Sequence, residues 1–106
     1  MLDHARVKAA LLDALADDWV YFAEVKDLIR EVTEADGDLL TSARDVAAAF
    51  VRDRVVVAGS ISTEDGFQPW TTSPEESAQR IEREVNQCLE SGTEPELGDI
   101  CWFDLP

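Results

Sequence analysis

Apolar positions along this chain recur first at the helical period and later at the strand period. Val7, Leu11, Ala14 and Leu15 fall on one stripe, widened by Ala10 and Leu12, and the spacing predicts a first helix over residues 3–16. Asp17-Asp18 closes it. Trp19-Val20-Tyr21-Phe22 has strand propensity but little length, so it reads as a short first strand or as an apolar bridge into the next helix. Val25, Leu28, Ile29 and Val32 predict a second helix over 23–34, with Glu24, Lys26, Asp27, Arg30, Glu31 and Glu34 off that face. Gly37 in Ala35-Asp36-Gly37-Asp38 is placed to end it as a left-handed cap.

Ser42 is suited to cap a third helix, its hydroxyl accepting from a free amide and Asp45 favouring the dipole. Ala43, Val46, Ala47, Phe50 and Val51 would face the core. Arg44, Asp45, Ala48, Ala49, Arg52 and Asp53 would lie outside. A β-branched run from Arg54 to Ile61 and an aromatic return from Phe67 to Trp70 flank a polar turn at Glu64-Asp65-Gly66, which predicts a hairpin. Pro69 cannot donate to a ladder, so the return strand belongs at an edge.

The strongest local signal is Ser73-Pro74-Glu75-Glu76: an N-cap serine, proline at the first helical position and a glutamate that can reach back to the cap amide. Ala78, Ile81, Val85, Cys88 and Leu89 then form one stripe, and Gly92 ends the helix. Ile100 to Leu105 is expected as a last strand or extended arm, too apolar to be left in water and therefore packed on the domain or on a partner.

The helix–strand–helix–helix–hairpin order from Val7 to Trp70 resembles the winged helix-turn-helix superfamily. The resemblance covers about two-thirds of the chain and rests on pattern, not on invariant chemistry. It implies an α+β fold in which residues 1–72 form a winged-helix-like block (three helices plus a β-hairpin) and 73–106 add a C-terminal helix and arm. Length supports a single domain over 1–106. The LGDICWF ending is similar to that of small uncharacterised acidic bacterial proteins, which implies no activity. In DNA-binding members the third helix enters the major groove, which would place Ser42, Arg44, Asp45, Ala48, Ala49 and Arg52 on its reading face with the wing at 62–66, and pairing as a dimer could bring two sets of Arg44, Arg52 and Arg54 together.

Charge works against that implication. The chain carries 23 acidic and 9 basic side chains, a formal net charge of −14. Residues 1–36 hold nine acids against four bases, 37–72 five against three, and 73–106 nine against two. The wing offers Glu64 and Asp65 where phosphates call for Lys or Arg. A surface of this sign favours a basic protein partner, with nucleic acid disfavoured.

Catalysis has little to stand on. His4 is the only histidine, Glu75/Glu76 is accounted for by capping, and Glu82/Glu84 straddles an exposed helix face. Cys88 and Cys101 are too few for a zinc site and are expected as reduced core thiols, so neither metal nor cofactor is anticipated. No apolar run approaches a bilayer span, and no basic flank precedes an apolar segment at the N-terminus, so the cytoplasm is the expected location and no membrane partner is expected.

The leading expectation is therefore a non-enzymatic protein that grips a basic protein, as an immunity- or antitoxin-like inhibitor or a regulatory subunit. Glu75, Glu82, Glu84 and Glu90, with Trp70 and Trp102, are its candidate contacts. Trp19 and Phe50 are assigned to the core. The alternative is a transcriptional regulator that binds DNA as a homodimer through Ser42, Arg44, Arg52 and Arg54. A third reading is an oligomeric domain whose 100–105 arm joins a neighbour's sheet.

Overall fold

The computed structural model describes residues 4–33, 39–96 and 99–106. The first apolar stripe forms α1 (His4–Asp17), with Val7, Leu11 and Leu15 buried. The bulky run that follows divides: β1 (Val20–Tyr21) leads directly into α2 (Phe22–Thr33), and Phe22 is fully buried at the junction. Then come α3 (Leu39–Arg52), β2 (Val57–Ser62), β3 (Gly66–Pro69), α4 (Pro74–Ser91) and β4 (Trp102–Asp104). The described residues thus make an α+β fold of four helices and one antiparallel four-stranded sheet, ordered β1-β4-β2-β3. The cap read for Gly37 lies outside the described residues.

The C-terminal run does not reach outward. β4 inserts between β1 and β2, with Phe103 opposite Val20 on one side and Ala58 on the other. Alternation sets its two faces: Phe103 is fully buried in the core, while Trp102 and Asp104 point to the opposite side of the sheet. The tail finds its cover at home rather than on a neighbour's sheet edge. β3 is an edge strand that ends on Pro69, as the missing amide donor requires.

One apolar cluster joins both parts of the chain. Ile29 of α2, Val46 and Phe50 of α3, Ile81 and Val85 of α4, and Phe103 of β4 are all buried within it. Side chains of this size contribute about 1.5–3 kcal/mol each when fully buried.

Four expectations are corrected. α3 already runs from Leu39, so Ser42 sits inside its first turn and is not its cap. Ala48, assigned outside, is 1 % exposed, because α3 is covered on more than one side. Trp19, assigned to the core, is exposed; its ring stacks on Phe67 with 6.3 Å between centroids, and its Nε1–H donates to Asp104 Oδ2 at 3.2 Å. Arg54 does not begin a strand. It follows the last turn of α3 at φ 60°, with its amide donating to the Val51 carbonyl and the Val55 amide to that of Phe50. That left-handed position usually falls to glycine.

The hairpin coils sharply. By register Trp19 stands near the Val57 end of the sheet and Gly66 at the other end. Yet Trp19 Cη2 lies 3.2 Å from where a Gly66 Cβ would be. At Gly59 the strands approach so closely that a Cβ would stand 2.3 Å from the Gln68 carbonyl oxygen and 2.8 Å from Phe67 Cζ. Gly59→Ala should therefore cost about 1–3 kcal/mol in a denaturant unfolding titration, as an overpacked site does. Arg54→Gly relieves a left-handed strain of about 1–2 kcal/mol and adds a chain-entropy cost of about 0.5–1 kcal/mol. It should leave stability unchanged or raise it, whereas Arg54→Val should lower it.

Candidate functional site: the acidic face of the fourth helix

The cap signal builds α4 as expected. Ser73 Oγ accepts from the Glu76 amide at 3.1 Å, Glu76 Oε1 accepts from the Ser73 amide at 3.4 Å, and Pro74 opens the first turn. At the other end Gly92, at φ 70°, sends its N–H to the Cys88 carbonyl. Glu76 is therefore occupied in structure. Ala78, Ile81 and Val85 are buried, which turns Glu75, Gln79, Glu82, Asn86 and Glu90, spaced by three or four residues, along an outer face.

Two arginines from α3 reach onto that face. Arg52 bridges Glu75 and Glu82: its Nε donates to Glu75 Oε2 and its Nη2 to Glu82 Oε1 at 2.8 Å. Arg44 donates through Nη1 to Asn86 Oδ1 at 2.8 Å and through Nε to Asp45 Oδ1 at 2.9 Å. The hydrogen bond from Arg52 holds the Glu75 carboxyl below the usual glutamate range against the upward push of desolvation, with smaller help from the Arg52 charge and from Gln79. The same two carboxylates push the Arg52 guanidinium further up.

The other candidates are dispersed. Glu84 accepts from Arg80 Nε at 2.8 Å, and the Arg80 guanidinium carbon lies 3.9 Å from the centroid of the Trp70 ring. Trp70 is half-buried, packs against the core, and its Nε1 is buried with no hydrogen-bond partner among the described residues. Trp102 lies on the sheet face opposite Phe103, its ring edge-on to Tyr21 at 5.5 Å. Glu75, Glu82 and Glu90 thus share one ridge. Glu84 and Trp70 form a second group through Arg80, and Trp102 is a third site on the sheet.

No family model, curated protein or solved structure matches this chain. The geometry must speak through its charges. Among the described residues Lys26, Arg30, Arg44, Arg52 and Arg80 are held in ion pairs with carboxylates of the chain itself.

Proton-transfer chemistry finds little support in these groups. Glu75 is held anionic, and burial pushes both the Cys101 and Cys88 thiols up, away from the thiolate that reacts. Burial, then Asp27, Asp18 and Glu31, raises the Glu24 carboxyl. Among the described residues no cluster of His, Cys, Asp or Glu is arranged to hold a metal ion, and no helix is long and apolar enough to cross a membrane.

Sequence reading assigned Arg44 and Arg52 to a possible nucleic acid and missed their role as clamps on α4. The available signal was Ala48-Ala49, two small residues on a face otherwise taken as solvated, which is what a close helix neighbour requires. Arg52→Gln should raise the Glu75 carboxyl back toward the ordinary glutamate range, read by a carboxyl NMR titration. The sign follows from linkage. Glu75 contributes stability above the unfolded-state value and loses it as pH falls through its lower folded value. Wild type should therefore exceed the variant in stability at neutral pH, and the gap should close in acid.

Proposed function

We propose that this is a non-enzymatic protein whose acidic α4 ridge binds a basic protein. The observation that carries the reading is the internal use of cations: most of the few Lys and Arg are already paired, and carboxylates remain in large excess. Exposed pairs of this kind contribute only about 0–1 kcal/mol each, so a partner's arginines can compete for Glu75 and Glu82 at low cost. Glu90, exposed at the far end of the ridge, has no such pair with any described residue. An inhibitor of the immunity or antitoxin kind, or a regulatory subunit, uses a surface of this character, and steered encounter is its kinetic advantage.

The order α1-β1-α2-α3-β2-β3 supports a winged-helix-like reading of the first two-thirds of the chain, with α4 and β4 as additions. The DNA-binding alternative gains no support from that likeness. On the helix that would read bases, Ala48 is buried, Arg52 is bridged to two glutamates and Arg44 is bound to Asn86 and Asp45.

Binding to a cationic protein, followed at low salt, should weaken steeply with ionic strength and fall at least tenfold in Glu75→Gln/Glu82→Gln/Glu90→Gln. It should be insensitive to the control triple Asp13→Asn/Asp17→Asn/Glu31→Gln. Equal loss in both triples would mean that overall charge, not the ridge, does the binding. Duplex binding at about 50 mM salt that is lost in Arg44→Ala would overturn the reading in favour of DNA.

A further inference from the structure

Behind the ridge, where the end of α3 meets the start of α4, lies a cavity of about 220 Å³. Its walls include Val51, Val56 and the indole of Trp70, and its polar groups include Arg54, Thr72 and Ser77. In a chain where 23 of 106 residues are acidic, none of the lining residues is Asp or Glu. The single cation, Arg54, is exposed, and its guanidinium has no hydrogen bond or ion pair with any described residue. It is held there by a left-handed backbone at φ 60°, a conformation that an arginine adopts only at a cost. Ser77 is 5 % exposed, and its hydroxyl lies 2.7 Å from that of Thr72. Two hydroxyls bring two protons and use one between them, so one O–H remains to donate into the cavity.

We propose that this cavity is a binding site for a small organic carboxylate carried on an apolar body. The inference does not depend on the α4 ridge or on its partner. A guanidinium presents a planar fork that matches a carboxylate, and the spare hydroxyl proton supplies a further donor. One guanidinium balances one negative charge, which favours a monoanion over a phosphate dianion in a protein that is already strongly negative. The volume equals that of roughly seven waters at about 30 Å³ each, so the apolar part is limited to a ring or a short chain. The Val51, Val56 and Trp70 walls select for it.

The test uses the full chain labelled with ¹⁵N, with the Trp70 indole N–H as reporter and Trp70→Phe to assign its resonance. Benzoate and hexanoate are the probes, benzamide the neutral counterpart, and inorganic phosphate the anion without a body. Benzoate or hexanoate should shift the Trp70 resonance saturably while those of Trp19 and Trp102 stay in place. Benzamide and phosphate should shift it far less, and Arg54→Gln should weaken carboxylate binding at least tenfold while the rest of the spectrum is unchanged. Absence of a saturable shift up to about 10 mM, where even millimolar affinity would show, overturns the proposal. So does an equal response to benzamide, an equal response to phosphate, or undiminished binding in Arg54→Gln.

Discussion

The docking of α4 across α3 is the interaction on which the rest of this structure depends. It is the most extensive element pair in the fold, and two unequal forces make it. The seam is apolar: Ala78, Ile81 and Val85 on one helix join the cluster that holds Ala47, Ala48 and Val51 on the other. Burial of an Ile or Val contributes about 1.5–3 kcal/mol, whereas an exposed ion pair gives about 0–1 kcal/mol. The seam therefore decides that α4 lies there, and Arg52 and Arg44 tie the two helices together along its polar border. From that placement the chain is returned through Gly92 so that Trp102–Asp104 can enter the sheet between β1 and β2.

Most helices were legible because each signal was local. The stripe of Val7, Leu11 and Leu15, and the Ser73–Glu76 cap, follow from neighbours within a few residues and survive in the fold. The hairpin was legible for the same reason, with Pro69 correctly left at an edge. What failed was tertiary. Trp19 is driven to the surface because Phe67, distant in sequence, offers it a stacking face and Asp104 offers its N–H an acceptor. Ala48 is buried because a helix thirty residues on arrives over it. The central place of β4 was out of reach, since three residues of alternating pattern say nothing about which strands will flank them.

The same limit applies to function. The acidic side chains were all visible in the sequence, but their grouping was not. Glu75 and Glu82 share a guanidinium, Glu84 belongs with Arg80 and Trp70, and Trp102 stands apart on the sheet. A run of glutamates read as one patch is, in space, a ridge and two separate sites. The arginines taken for a phosphate-reading set split in a more telling way: Arg44 and Arg52 are turned inward to the protein's own carboxylates, and Arg54 alone is left facing a cavity that carries no acid.

The sheet's strand order has a consequence for the protein at high concentration. Its longest strand, β2, and the apolar tail strand β4 are both interior, so the lateral borders are left to β1, two residues long, and β3, four residues ending on proline. Neither border offers a ladder long enough to template the addition of a foreign strand. The segments most prone to fibrous stacking are thus held in the middle of the sheet.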